Sequence, residues 1–314
     1  MTKSFKELFI EHDSMAKPIQ KGKSVFILCM VIVTIVNFLV FYVAVNVNSF
    51  LLAFQEYVGN NEYVTSFYQF KKFFHEISLG MNGEILPAFL NTMMYFWSGL
   101  LISLPLSYFI GYFLFKKIFM YRFFRVIFFM PSIISGVVLV VMFRYILSQN
   151  SSLDYLLQET FGAQPFPDFF DTSSKMNKMM LIFTIWTGFG TNVILFQGTM
   201  KRIPESVLEA AKLDGANITV ELFKIITPMV WPTIMTMLTL TFSAFLTASG
   251  PIMLFTNGKD TNTYTISFWL YWIVADQNAY HYASAASIIL TIVACPIAFT
   301  ARGLLNKLYE PVEY

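Results

Sequence analysis

Six stretches of this chain are each apolar over the length needed to cross a bilayer, and no other feature narrows the fold as much. They run roughly over residues 24–52, 88–115, 124–147, 179–200, 229–256 and 281–303. About 20 consecutive apolar residues carry a helix across the hydrocarbon core. Composition removes the soluble alternative: 56% of the 314 residues are hydrophobic and 13% are charged. Soluble domains carry about 25% charge, so this chain cannot cover its apolar surface in water. The expectation is an all-α integral membrane bundle of six transmembrane helices. The first run is too long for a signal h-region and lacks a small-residue cleavage site after it, so it reads as a retained helix.

Basic residues in the connections predict the orientation. One side collects Lys3, Lys6, Lys17, Lys21, Lys23, Lys116, Lys117, Arg122, Arg125, Lys201, Arg202, Lys212, Lys224, Arg302 and Lys307. The other has Lys71, Lys72, Lys175, Lys178 and Lys259, with Arg144 at a boundary. Both termini are therefore expected in the cytoplasm, as an even number of spans also requires. The longer connections, 53–87 and 148–178, then lie outside and read as small caps.

The centres of the spans hold almost no ionisable groups. Proton relays and ion pathways use such groups, so a proton-coupled transporter is disfavoured and a neutral solute fits better. The uncharged polar residues in the spans have two readings. Asn91, Tyr95, Ser98, Asn192, Gln197, Thr247 and Ser249 either bond a neighbouring helix or line a polar pathway for a hydroxyl-bearing solute. Pro105, Pro131, Pro232, Pro251 and Pro296 each remove a backbone N–H and predict kinks. Cys29 and Cys295 lie in apolar runs and read as small buried hydrophobes.

Several activities are excluded by motif. Gly22-Lys23-Ser24 has the ending of a phosphate-binding loop, but Lys17 stands where its first glycine is required. With His12, His75 and His281 as the only histidines, no paired-histidine zinc motif can be built. No nucleophile elbow and no nucleic-acid-reading motif occurs, so no catalytic or metal residue is expected. A secondary transporter would want internal repeats and buried charges, and neither is evident. A membrane scaffold or enzyme anchored by its loops remains open at this point.

The stretch Ile203–Pro232 carries the most information. Pro204 suits the first position of a helix, and Glu205 suits the positive end of its dipole. Val207, Leu208 and Ala211 recur at helical spacing, and Asp214-Gly215 ends the helix. Asn217 then caps a second short helix bearing Leu222, Ile225 and Ile226, and Pro228 opens the fifth span. A helix of about ten residues is marginal alone in water, so this hairpin needs a cover. The chain, the lipid surface and a partner are the options.

Glu209-Ala210-Ala211, three residues, Gly215, nine residues, then Ile225 and Pro228 resemble the EAA loop of bacterial ABC importer membrane subunits. Thr227 stands where the family usually has Leu. Asp214-Gly215-Ala216 and Phe223 resemble the carbohydrate-type version. Arg125–Tyr145 resembles the third-span region of maltose-type and glycerol-phosphate-type permeases, and Tyr282–Ile292 resembles their last span. The resemblance covers most of 85–305. It implies the type I permease fold, with a tail, first span and loop over 1–85, a permease core over 86–305 containing the loop 203–228, and a tail over 306–314.

It also implies a mechanism. The loop would dock on a separate ATP-binding subunit, with Glu209 meeting a basic residue, Ala210 and Ala211 allowing close packing, and Gly215 turning the chain. Two such ATPases, carrying ATP and Mg, a second permease subunit forming a heterodimer, an external sugar-binding protein and membrane lipid would be the partners. The chain itself would bind no cofactor and no nucleic acid. The place would be a bacterial plasma membrane.

Overall fold

The computed structural model describes residues 21–59 and 62–308; the tail lysines Lys3, Lys6 and Lys17 and residues 309–314 lie outside them. Among the described residues, five helices are long and apolar enough to cross a membrane: Phe26–Ala53, Ile85–Phe115, Ser173–Met200, Ile218–Ser243 and Tyr280–Lys307. These are spans one, two, four, five and six.

The expected third span is a broken pair. Helices Tyr121–Ile133 and Gly136–Ile146 meet at 110°, so six spans are counted only if this bent pair is one of them. Pro131 removes a backbone donor in the last turn of the first helix, and Ile134 and Ser135 are extended, with ψ of 144° and 130°. Hydropathy averages over such a break, because the residues on both sides of it are equally apolar.

Span five also differs from expectation. It begins at Ile218, eleven residues before the predicted start at 229, and ends at Ser243. The small residues around Gly250 let the chain turn, and Pro251 caps a short helix, Ile252–Thr256, instead of kinking the span. A ten-residue apolar helix, Ile266–Ala275, follows where only a loop was expected. It is too short to cross and is buried through Ile266, Trp269 and Ile273.

Packing is concentrated in two layers. At the end carrying the long connections, Tyr95, Met180, Phe183, Phe255, Trp269 and Tyr282 share one cluster. At the opposite end, Tyr108, Tyr112, Phe196, Met200, Ile203, Leu222, Ile226 and Val230 form a second. Lipid tails are as apolar as these side chains, so close fit drives helix association. Gly190 supplies such a fit: a Cβ there would collide with the Phe128 carbonyl oxygen of the broken pair. Span one buries little of itself, and Cys29 and Cys295 are exposed, contrary to the buried reading. A helix surrounded by hydrocarbon can leave an apolar side chain on its surface at no solvation cost.

The long connections are ordered caps. The first holds an antiparallel hairpin, Gln55–Gly59 with Glu62–Thr65, an addition to the otherwise helical fold, and a helix Tyr68–Ser78. In the second, Ser151 accepts the Asp154 N–H and starts the helix Ser152–Phe161. The Asp154 carboxylate accepts from Asn150 N at 3.0 Å, Phe166 N at 3.0 Å and Gln158 Nε2 at 2.8 Å. Burial pushes its pKa up, but these three donors outweigh burial and hold it below the ordinary 3.8. A depressed carboxylate stabilises the fold above its unfolded-state pKa, and that contribution fades as pH falls through the native value. Protease protection of this cap in the wild type is therefore expected to hold at neutral pH and to fall below about pH 4. Asp154→Asn should show weaker protection at neutral pH and lose that acid dependence; equal protection at neutral pH would refute the role.

Candidate functional site

Span four ends at Met200, and a turn brings Ile203 into the lower cluster and Pro204 to the start of a helix over Glu205–Leu213. Pro204 has φ −59° and ψ 136°, so it caps this helix and is not its first helical residue. Glu205 lies in the first turn and Lys212 in the last, each complementing the helix dipole. Val207 and Leu208 pack on the lower cluster, and Ala211 is buried. The opposite face is open. Glu209, Ala210, Asp214 and Gly215 are exposed, and Leu213 is 89% exposed.

The helix ends in a Schellman motif. Ala216 N donates to Ala211 O at 2.9 Å, and Gly215 N donates to Lys212 O at 3.1 Å. Gly215 has φ +76°, which glycine alone adopts without a Cβ penalty. Asn217 then accepts the Val220 N–H at 2.9 Å, as its capping reading requires. What it caps differs from expectation. No separate second short helix forms: residues 218–243 run continuously, with a π-helical stretch over Glu221–Ile226. Thr227 closes the widened turn twice over: its backbone N–H and its hydroxyl both donate to Leu222 O, the hydroxyl at 2.8 Å, and the hydroxyl also bonds the Tyr108 hydroxyl at 2.7 Å. Ile225 and Pro228 are half-buried on this stretch.

Motif reading missed Glu221. It is 5% exposed at the foot of span five. Lys116 Nζ, just past the end of span two, donates to both its carboxylate oxygens at 2.8 and 3.0 Å, and the Tyr112 hydroxyl lies 3.4 Å away. Removing one partner of a buried pair costs about 3–5 kcal/mol. The partners are 105 residues apart, so no local pattern announces them.

The seven candidate pathway residues do not form one site. Asn91 donates to Asn262 O and Tyr264 O, both at 2.8 Å, and accepts from Asn177 at 3.2 Å. It ties the upper ends of spans two and four to the segment before Ile266. Gln197 donates to Leu114 O at 3.0 Å near the other end of the bundle, and Ser98 donates to Tyr95 O. Asn192 is half-buried on span four. Three of the seven gather near the break after span five. The Tyr95 hydroxyl is buried without a partner among the described residues, and a Cβ on Gly250 would stand 2.6 Å from it. The adjacent Ser249 hydroxyl bonds Thr265 at 2.8 Å. Thr247 is exposed and faces a cavity of about 230 Å³ shared with Ser267, Ser287 and Thr291.

The family described as "Binding-protein-dependent transport system inner membrane component" matches residues 103–310. Among curated proteins, the galactooligosaccharides transport system permease protein GanP of Bacillus subtilis is 28% identical over 188 residues, covering 56% of this chain and 44% of that protein. The arabinooligosaccharides transport system permease protein AraP of the same organism is 25% identical over 282 residues, 86% of this chain and 85% of AraP. The maltose/maltodextrin transport system permease protein MalF of Vibrio vulnificus is 26% identical over 193 residues, 58% of this chain and 36% of MalF. With several such relatives the chain matches only about half of their length. Among solved structures, a chain of a bacterial ABC transporter importing the acidic polysaccharide alginate superposes with TM-score 0.74 at 19% identity, over 92% of this chain and 98% of that one. That likeness shows the fold alone, a largely helical membrane bundle. The chain belongs to the family of binding-protein-dependent transport system inner membrane components.

Proposed function

We propose that this chain is the membrane permease subunit of a binding-protein-dependent ABC importer that moves a sugar or oligosaccharide across the plasma membrane. The observation that carries this reading is the Glu205–Leu213 helix, held on its inner face by Val207, Leu208 and Ala211 and open on the face of Glu209, Ala210 and Leu213. A nine-residue amphipathic helix with an uncovered apolar tip needs a partner. A separate ATPase, carrying ATP and Mg, is that partner. Glu209 meets a basic side chain, Ala210 lets the surfaces close, and Asp214 and Gly215 shape the joint, whereas Ala211, expected at the same contact, is buried on the inner face and packs the helix onto this chain. Ile225 and Pro228 seat the loop on span five. Two ATPases, a second permease subunit and an external sugar-binding protein complete the importer, and both termini face the cytoplasm. The names of the relatives above, which handle oligosaccharides, support the substrate class. Closure of the ATPases biases the helices between inward- and outward-open populations; of the hydroxyl groups near the break after span five, Thr247, which faces a cavity, is the one we assign to meet the solute.

The test is reconstitution. With the partner permease, ATPases and binding protein in proteoliposomes, sugar uptake should require ATP, and the binding protein should stimulate hydrolysis. A cysteine at Ala210 should cross-link to the ATPase. Uptake that persists without any ATPase, or a hairpin that never touches one, would sink the reading.

A further inference from the structure

The face of span two that meets span five carries Tyr108, Tyr112 and Lys116, one helical turn apart, and every one of them donates across the seam. Tyr108 bonds Thr227 at 2.7 Å, Tyr112 lies 3.4 Å from the Glu221 carboxylate, and Lys116 holds that carboxylate at 2.8 and 3.0 Å. The side chains of Glu221 and Lys116 are 6% and 28% exposed, so the pair is largely withdrawn from water. Glu221 opens the π-helical stretch, which ends at Ile226 immediately before Thr227. Such stretches cost helix stability and collect at functional sites. This one begins at one acceptor of the stripe, Glu221, and ends immediately before the other, Thr227.

From this we infer that Tyr108, Tyr112, Lys116, Glu221 and Thr227 form a clamp that makes the lower halves of spans two and five move as one body with the hairpin. The inference rests on the coupling reading above. The chain connects the hairpin directly only to spans four and five. Apolar contacts alone would let span five slide against span two with little resistance, since one methyl group replaces another. A two-oxygen charge-assisted contact resists sliding, because separating it leaves a carboxylate in a poorly solvated place. Force entering at Glu209 then reaches span two, which carries Tyr95 and Asn91. Glu221 and Lys116 are positioning residues in this scheme and touch no solute.

The experiment uses the full importer in proteoliposomes and reads sugar taken up per ATP hydrolysed, with thermal stability measured on the same preparations. Glu221→Gln and Lys116→Met should lower that ratio about tenfold, within the span of ordinary site-to-site coupling. The exchanged pair Lys116→Glu with Glu221→Lys should recover most of it. Tyr112→Phe, which keeps the packing and removes one hydroxyl, should give a smaller loss. Spin labels at Lys117 and Lys224 should keep one distance with and without ATP in the otherwise wild-type importer and spread in the Tyr112→Phe and Glu221→Gln backgrounds. A merely structural role would lower stability and yield while the assembled survivors kept the wild-type ratio; that result, or an exchanged pair no better than the singles, overturns the clamp. A wild-type importer with no stimulated hydrolysis would instead overturn the coupling reading, which the labels on the permease do not depend on.

Discussion

In the assembled importer, Gly215→Val is expected to abolish most ATP-driven uptake while the protein still inserts in the membrane. Nothing lies within 4 Å of a Cβ at this position, so the effect is one of backbone conformation and not of space. The φ of +76° puts an L-residue in the left-handed region, at about 1–2 kcal/mol, with a β-branched side chain faring worse. The marginal nine-residue helix ahead of it has little stability with which to absorb that cost. Loss of the Ala216–Ala211 and Gly215–Lys212 bonds would let the helix run on or fray, and Glu209 would leave the docking position proposed for it. A graded series is the sharper measurement. Gly215→Asn, which tolerates the left-handed region, should retain the most uptake, Gly215→Ala less and Gly215→Val the least. An order set by side-chain size alone, with Asn as damaging as Val, would refute the conformational account. Glu209→Lys should give a comparable loss of coupling through charge, with the helix intact.

The second large effect falls on folding. Gly190→Leu is expected to leave little assembled protein, and Gly190→Ala to lower its thermal stability. The obstacle at Gly190 is the carbonyl oxygen of Phe128, which belongs to a helix backbone and cannot rotate aside as a side chain could. Overpacking of this kind costs about 1–3 kcal/mol and sometimes more. In a bilayer no hydrophobic drive compensates, because the helices gain association chiefly through close contact. Gly188 lies two residues away with open space around it, so Gly188→Ala is the control and should be neutral. Equal stability of the two alanine variants would show that the broken pair adjusts and that Gly190 is not a contact requirement.

The membrane class, four of the spans and the hairpin helix with its capping residues were legible from the amino-acid order, because each depends on signals within a few turns. Apolar run length reports spans one, two, four and six. Asp214, Gly215 and Asn217 report a helix stop and restart, since backbone caps are local chemistry. The 110° break after Ile133, the early start of span five and the short buried helix Ile266–Ala275 were decided by tertiary structure. Apolar residues look alike in sequence whether they cross the bilayer, bend within it or pack against neighbours. The same holds for polar residues in the spans. Asn91 and Gln197 read as pathway candidates, yet their amides bond backbone carbonyls of distant segments. Glu221 shows the converse: its significance comes from Lys116, which folding brings to it across 105 residues. Run length and local caps act along the chain, whereas a buried charge pair is defined only by what stands opposite it in space.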